Sequence, residues 1–106
     1  MKYKVKTVRG KRPFVEVVFE EERYALAGEL LLAERSFLDW IIQTLGSVKD
    51  GTEAAATFSG NAFTLSVTPE TTKITNDINS REAEAPTGEL LWLAVKYKRQ
   101  YDKIRR

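Results

Sequence analysis

The sequence predicts an α+β domain, in which a mainly antiparallel sheet of about five or six strands packs against two helices. The strands are predicted because short segments alternate apolar and polar residues between turns rich in glycine, proline and asparagine. The helices are predicted from apolar residues at helical spacing within Ser36–Leu45 and Thr87–Ile104. The 106 residues suit one core and contain no repeat or linker, so we expect a single domain over residues 1–106.

The first two strands are predicted to form a hairpin. Within Tyr3–Thr7, bulky residues alternate with lysines, which is typical of a strand with one face in water. Arg9–Pro13 predicts a turn, and Phe14–Glu20 is rich in β-branched and aromatic residues, which favours a second strand. The next segment, Tyr24–Ala33, is open to two assignments, because its alanines and leucines favour a helix whereas Gly28 and the helix start that follows favour a strand.

The first helix is predicted to begin at Ser36, because a serine with Asp39 three residues later is typical of a helix N-cap. Gly46 predicts its end. The chain then continues into three segments that we expect to form an antiparallel meander: Ala54–Phe58, Ala62–Val67 and Thr72–Ile78.

The last helix is predicted to begin with Thr87 as its N-cap, after an exposed loop over Asn79–Pro86. The predicted core draws on all of these elements. It comprises Val5, Val15, Val17, Phe19, Leu38, Ile41, Ile42, Leu45, Phe58, Phe63, Leu65, Val67, Ile74, Leu90, Leu93, Ala94 and Tyr97. We expect Trp40 and Trp92 in the core as well, although an exposed tryptophan would make a strong binding anchor.

The chain has no histidine and no cysteine. These side chains most readily act as bases or nucleophiles near neutral pH, so we expect a binding protein and not an enzyme. A serine with a lysine base, a perturbed carboxylate pair or carboxylate-bound Mg²⁺ would be the remaining catalytic routes. Glu20–Glu22 would point to alternate faces of a strand and could not all hold one ion, and we expect no metal and no cofactor.

The net charge of +2 conceals a segregation of charge along the chain. Residues 1–12 carry six basic and no acidic residues, and residues 96–106 carry six basic residues and Asp102. Residues 13–95 hold fourteen acidic and five basic residues. The two ends are therefore basic and the body is acidic.

This distribution supports two kinds of partner. An acidic body favours a basic protein. The candidate residues for that contact are Glu20, Glu21, Glu22, Asp77, Glu82 and Glu84. The basic ends favour RNA or DNA if the first strand and the last helix lie side by side. The candidate residues for that contact are Lys2, Lys4, Lys6, Lys96, Arg99 and Lys103. A structural subunit whose edge strand pairs with another chain is a third alternative.

The order of elements, with Ser36–Ile42, Gly60–Leu65 and Thr87–Leu93, resembles small bacterial immunity proteins, including those of contact-dependent growth inhibition systems. It is also similar in outline to the uncharacterised YacL-like proteins. The resemblance implies an antitoxin that binds and blocks a cognate toxin domain, often a nuclease with a basic surface. The oligomeric state stays open. Because residues 1–6 have no apolar signal core and no segment suits a membrane span, we expect a cytoplasmic protein.

Overall fold

The computed structural model describes residues 1–105 and has an α+β architecture with two antiparallel sheets and three helices. One sheet is the hairpin of β1 and β2, and the other is the meander β3-β4-β5-β6. The strands are β1 (Tyr3–Val8), β2 (Phe14–Phe19), β3 (Ala56–Ser59), β4 (Phe63–Val67), β5 (Thr71–Asn76) and β6 (Glu82–Pro86). The helices are α1 (Ala25–Ala33), α2 (Leu38–Lys49) and α3 (Thr87–Ile104).

The predicted hairpin is confirmed, with Tyr3 opposite Phe19 and Val8 opposite Phe14. The prediction of one continuous sheet is wrong, because the hairpin does not pair with the meander. The inner face of the hairpin instead meets helices: α1 contacts β2, and α3 contacts both hairpin strands. Helix α1 also contacts β5 and β6, so it packs against both the hairpin and the meander.

The segment Tyr24–Ala33 is a helix and not a strand, since α1 begins at Ala25 after a short 3₁₀ turn. The propensity of its alanines and leucines prevails, and Leu26, Leu30 and their neighbours are buried. Gly28 is explained by packing: a Cβ there would lie 3.3 Å from the Phe19 ring. A glycine inside this helix permits close contact with β2.

Two predicted helix boundaries are wrong. Ser36 lies in a 3₁₀ turn and is not an N-cap, because α2 begins at Leu38 with no side-chain cap. Gly46 does not end the helix, which continues to Lys49 and thereby buries Val48. The turn comes at Gly51, whose φ of 86° lies in the left-handed region that glycine favours.

The predicted loop before α3 contains strand β6. Ala83 and Ala85 face inward while Glu82 and Glu84 face solvent, which is the alternation of a strand. Pro86 ends β6, and an edge strand tolerates a proline that cannot donate a hydrogen bond.

Thr87 is the first residue of α3 and not its cap. Its hydroxyl donates to the carbonyl of Thr68 at 2.7 Å and lies 2.8 Å from the hydroxyl of Thr72. The side chain therefore ties the start of α3 to the meander.

The predicted meander and core are confirmed. Phe58, Leu65 and Ile74 are opposite one another in the registers of β3, β4 and β5 and are fully buried. Every predicted core residue is either buried or packs, partly exposed, against the buried cluster. The expectation for the two tryptophans is wrong: Trp40 is 50% exposed and Trp92 is 63% exposed, because both lie on outward helix faces.

None of the helices within residues 1–105 has the length and apolarity that crossing a bilayer requires.

Candidate protein-binding groove

A groove of about 450 Å³ runs along the edge of β2 that is not paired with β1. Its one wall is the strand itself, and its other wall is α1 together with the turn that precedes it. The lining residues are Val15–Glu20, Glu22, Ala25, Gly28, Glu29 and Leu32. Because consecutive residues of β2 line it, the groove lies along the strand's backbone edge and not over one face.

The ladder with β1 determines which backbone groups of β2 face the groove. The N–H of Glu20 donates to the carbonyl of Lys2 at 3.1 Å, so alternate residues back along β2 direct their backbone groups to β1. The intervening residues, Val15, Val17 and Phe19, therefore direct theirs to the free edge. One of these edge groups, the Val15 carbonyl, accepts a hydrogen bond from the Tyr97 hydroxyl at 2.8 Å. Within residues 1–105, the others form no further hydrogen bond.

The charges of the groove are all of one sign. Glu16, Glu20, Glu22 and Glu29 contribute carboxylates, and the lining contains no lysine or arginine. Glu16 lies 3.7 Å from Lys6 and Glu29 lies 3.4 Å from Arg81, both at the rim. Glu20 and Glu22 form no ion pair with another residue in 1–105.

The groove surface between these carboxylates is largely apolar. Val18 is 44% exposed, and Val17, Phe19 and Leu32 are partly exposed. Apolar walls and an acidic rim thus occur together beside an edge of β2 that α1 partly covers, since a Cβ on Gly28 would lie 3.5 Å from the Val17 carbonyl oxygen. An acidic surface with apolar patches is suited to contact with a basic protein.

The structure divides the six acidic residues predicted from the sequence into two sets. Glu20 and Glu22 line the groove, and Glu21 between them pairs with Arg23 at 2.7 Å. The other three lie at strands β5 and β6 of the meander. They are Asp77, Glu82 and Glu84.

The acidic residues of the meander are largely engaged within the protein. Glu82 pairs with Lys73 at 2.7 Å, and this hydrogen bond and attraction raise the pKa of Lys73. Glu84 is opposite Lys73 in the register of β5 and β6. Asp77 accepts a hydrogen bond from Thr64 at 2.8 Å. These three carboxylates are therefore less available to a basic partner than the carboxylates of the groove.

The structure places the basic residues of the first strand on the outer face of the hairpin. Lys2 and Lys6 face Glu20 and Glu16 across the ladder, and Lys4 faces Val18. Glutamates therefore interleave with these lysines, which reduces their combined positive field.

The last helix lies beside β1, as the nucleic-acid hypothesis requires. The Lys96 Nζ is 5.3 Å from the centre of the Tyr3 ring, and Gln100 donates to Thr7 at 3.0 Å. Tyr3 and Thr7 belong to the inner face of β1, however, so the lysines of α3 and those of β1 lie on opposite faces of the strand. Arg99 and Lys103 are exposed on α3.

A second groove, of about 480 Å³, lies between α2 and the free edge of β3, beside Trp40. The Trp40 ring meets Phe58 edge-on at 5.2 Å and Phe37 at 6.0 Å, which holds the half-exposed indole in place. The lining carries a single charged residue, Glu53. It therefore lacks the charge that distinguishes the groove at β2.

As part of the acidic body, Glu34 was expected at the surface, and this expectation is wrong: Glu34 is fully buried, and its carboxylate contacts the β3–β4 turn. It accepts hydrogen bonds from the backbone N–H groups of Asn61, Ala62 and Phe63 at 2.8 to 2.9 Å. A Cβ on Gly60 would lie 2.5 Å from this carboxyl, so glycine permits the approach. Its position just after an apolar run was the only signal in the sequence.

Glu16 and Glu29 belong to the acidic body but are not among the six candidate residues, because only folding brings β2 and α1 together. Within residues 1–105, no three acidic side chains gather in the manner of a metal site. Comparison with protein-family models, with curated proteins and with solved structures finds no match.

Proposed function

We propose that the protein is an immunity protein, an antitoxin that binds a basic toxin domain through the groove at β2 and blocks its active site. The observation that carries the proposal is the composition of the groove: four glutamates and no basic residue around largely apolar walls. A nuclease must present basic residues to its substrate, so an acidic groove is complementary to the surface that has to be blocked. The protein itself contributes no chemistry.

Electrostatic attraction would act first on the rate of association. Complementary surface charge raises association rates by about 10- to 1000-fold at low ionic strength, and salt reduces this gain. Rapid capture suits an inhibitor that must reach a toxin in the cytoplasm before the toxin reaches its substrate. Glu20 and Glu22, which are exposed and without an ion pair among the described residues, are the main contributors that we assign.

The test is neutralisation of a toxin domain encoded beside the gene of this protein, as the C-terminal domain of a large secreted protein. We expect co-expression to restore growth and the purified pair to form an equimolar complex. The variant Glu20→Lys/Glu22→Lys should associate at least about tenfold more slowly at low salt.

A matched control keeps the change in net charge and moves it away from the groove. Glu53→Lys/Glu70→Lys alters two exposed carboxylates outside the groove lining and should leave the association rate within about twofold. Equal slowing in both double variants would show that net charge and not the groove determines binding. A toxin domain that is neither bound nor neutralised would contradict the proposed function.

A second candidate function is binding of RNA or DNA along α3, where Lys96, Arg99 and Lys103 are exposed and form no ion pair within residues 1–105. Titration with tRNA tests it. Binding through Lys96, Arg99 and Lys103 should weaken steeply as salt rises, because each phosphate contact releases counterions. Affinity that is independent of salt, or unchanged when these residues are replaced by glutamine, would exclude this function.

A further inference from the structure

We propose that the turn between β1 and β2 and the C-terminal half of α3 form one basic surface that binds the phosphate backbone of a nucleic acid. This inference rests on the second candidate function for the class of ligand, and it adds the turn as the other half of the site. The basic surface consists of Arg9, Lys11, Arg12, Lys96, Arg99 and Lys103. None of these residues lines the acidic groove.

Helix α3 runs beside β1 and in the same direction. The Lys96 Nζ lies 5.3 Å from the centre of the Tyr3 ring, at the start of β1, and Gln100 donates to Thr7 at 3.0 Å, near its end. Because β1 ends at Val8, the turn that follows it continues past the level of Gln100. The turn and the last residues of α3 therefore lie at the same end of the molecule.

The cations of α3 lie on the part of the helix that leads to the turn. Lys96, Gln100 and Lys103 are spaced i, i+4 and i+7, so Lys103 follows Gln100 on the side of α3 that contacts β1. Arg99 is exposed beside this line. From Lys96 to Lys103 the helix rises about 10 Å. One DNA strand has about three phosphates over that length, which suits the three cations of the helix.

The turn supplies the second group of cations. Arg9, Lys11 and Arg12 are all exposed, and they occur within a stretch, residues 1–15, that has no acidic residue. The lysines of β1 lie beside glutamates of β2, whereas the turn extends beyond the paired strands. The turn thus continues the positive charge of α3 where β1 itself does not.

The six cations have no counter-charge within residues 1–105. None of them forms an ion pair there. Asp102, which precedes Lys103 in the chain, pairs with Lys98 at 2.6 Å. Like charges that gather without counter-charges repel one another and destabilise the folded chain. An anionic ligand would relieve this repulsion, so the arrangement favours binding of a polyanion.

An anionic membrane is the less favourable ligand. A helix that lies on a membrane directs an apolar face into the lipid. The apolar face of α3, which includes Leu90, Leu93 and Tyr97, is fully buried in the core. The helix therefore has only charge to offer to a lipid surface, whereas charge alone is sufficient for contact with a phosphate backbone.

The experiment measures binding of the full chain to a short, labelled DNA duplex by fluorescence anisotropy at several salt concentrations. Six phosphate contacts predict a slope of about −5 when the logarithm of the association constant is plotted against the logarithm of the salt concentration. Arg9→Gln/Lys11→Gln/Arg12→Gln, the turn variant, should change this slope to about −3 and weaken binding at least about tenfold at low salt. Arg12→Gln alone should change the slope by about one unit. A parallel series with tRNA distinguishes RNA from DNA as the ligand.

The matched control removes the same charge from the outer face of β1. Lys2→Gln/Lys4→Gln/Lys6→Gln should leave the slope within about one unit of the parent value, because glutamates already lie beside these lysines. Thermal denaturation followed by circular dichroism tests the folding of both triple variants. The turn variant should be at least as stable as the parent, because it loses repulsion between like charges.

Three results would overturn the proposal. These are absence of binding to either nucleic acid, an unchanged slope in the turn variant, and equal changes of slope in the two triple variants. Binding to vesicles that contain phosphatidylserine, without binding to nucleic acid, would assign the basic surface to a membrane. A slope that changes in Lys96→Gln/Arg99→Gln/Lys103→Gln but not in the turn variant would leave the second candidate function intact and contradict this inference alone.

Discussion

Replacement of Glu34 by glutamine should strongly destabilise the fold. One carboxylate oxygen accepts from Ala62 and Phe63, both at 2.9 Å, and the other accepts from Asn61 at 2.8 Å. A glutamine amide can supply one acceptor oxygen, and its NH₂ group would then face the N–H of Asn61. The two hydrogen bonds from Ala62 and Phe63 would then have a neutral acceptor in place of a charged one, which costs about 1 kcal/mol each. The N–H of Asn61 would lose its partner, which costs about 1 to 2 kcal/mol.

The sum is a loss of about 3 to 4 kcal/mol in the free energy of unfolding, against a total of about 5 to 15 kcal/mol for a domain of ordinary stability. With an m-value of about 1.5 kcal/mol/M, the midpoint of urea denaturation should fall by about 2 M. Denaturation followed by circular dichroism measures the shift directly.

The control is Glu29→Gln, which removes a carboxylate that is exposed and paired with Arg81 at 3.4 Å. Surface pairs of this kind contribute about 0 to 1 kcal/mol, so its midpoint should hardly move. Glu34→Asp preserves the charge but shortens the side chain, and it should fall between the parent and Glu34→Gln. A midpoint for Glu34→Gln within about 0.3 M of the parent would refute this account of the β3–β4 turn.

Two further predictions concern buried hydroxyl groups. Burial raises the pKa of Tyr97 to about 12, so an unfolded chain loses this proton first and stability should decline from about pH 10 to about pH 12. Urea denaturation across this pH range should show the decline in the parent and a shallower one in Tyr97→Phe; equal slopes would contradict the assignment. The Thr87 hydroxyl donates to the Thr68 carbonyl, so the Thr72 hydroxyl must be the donor in its hydrogen bond with Thr87. Thr87→Val should therefore lower the free energy of unfolding by about 1 to 3 kcal/mol, because it leaves both of these groups without a partner. Thr72→Val should lower it by less, because the bond from Thr87 to Thr68 remains. The reverse order in thermal denaturation would show that the proton is placed wrongly.

The elements that the sequence predicted well are those whose signal is local. In Tyr3–Thr7 and in the strands of the meander, apolar and polar residues alternate with period two. This alternation predicts a strand correctly because each of these strands buries one face and exposes the other. The apolar face of α3 is predicted for the same reason, since Leu90, Leu93 and Tyr97 recur at helical spacing and are fully buried.

The elements that were missed depend on contacts between distant segments. Helix α1 is apolar on nearly every side, so it has no periodic signal, and Gly28 is understood only from its contact with Phe19. Strand β6 is short, polar on one face and occupied by alanine on the other, so its sequence resembles a loop. Trp40 lies two residues after Leu38 in α2, on the outward face of the helix.

The candidate site was predicted only in part for a related reason. The acidic body was evident from the sequence, and Glu20 and Glu22 were selected from it. Which of fourteen acidic residues share a groove depends on α1 packing beside β2, and that requires the helix assignment that the sequence left open. Glu82 and Asp77 were selected on charge and predicted loop position, and folding gives them partners within the protein.

The bond from the Tyr97 hydroxyl to the Val15 carbonyl joins residues 82 positions apart. During synthesis the hairpin therefore emerges long before α3, the helix that covers its inner face. Throughout that interval β1 and β2 are a small, uncovered sheet with unpaired edges, which is a hazard for aggregation. Lys2, Lys4 and Lys6 would discourage unwanted pairing during this period, so the lysines of β1 serve the nascent chain whether or not they contact a partner in the finished protein.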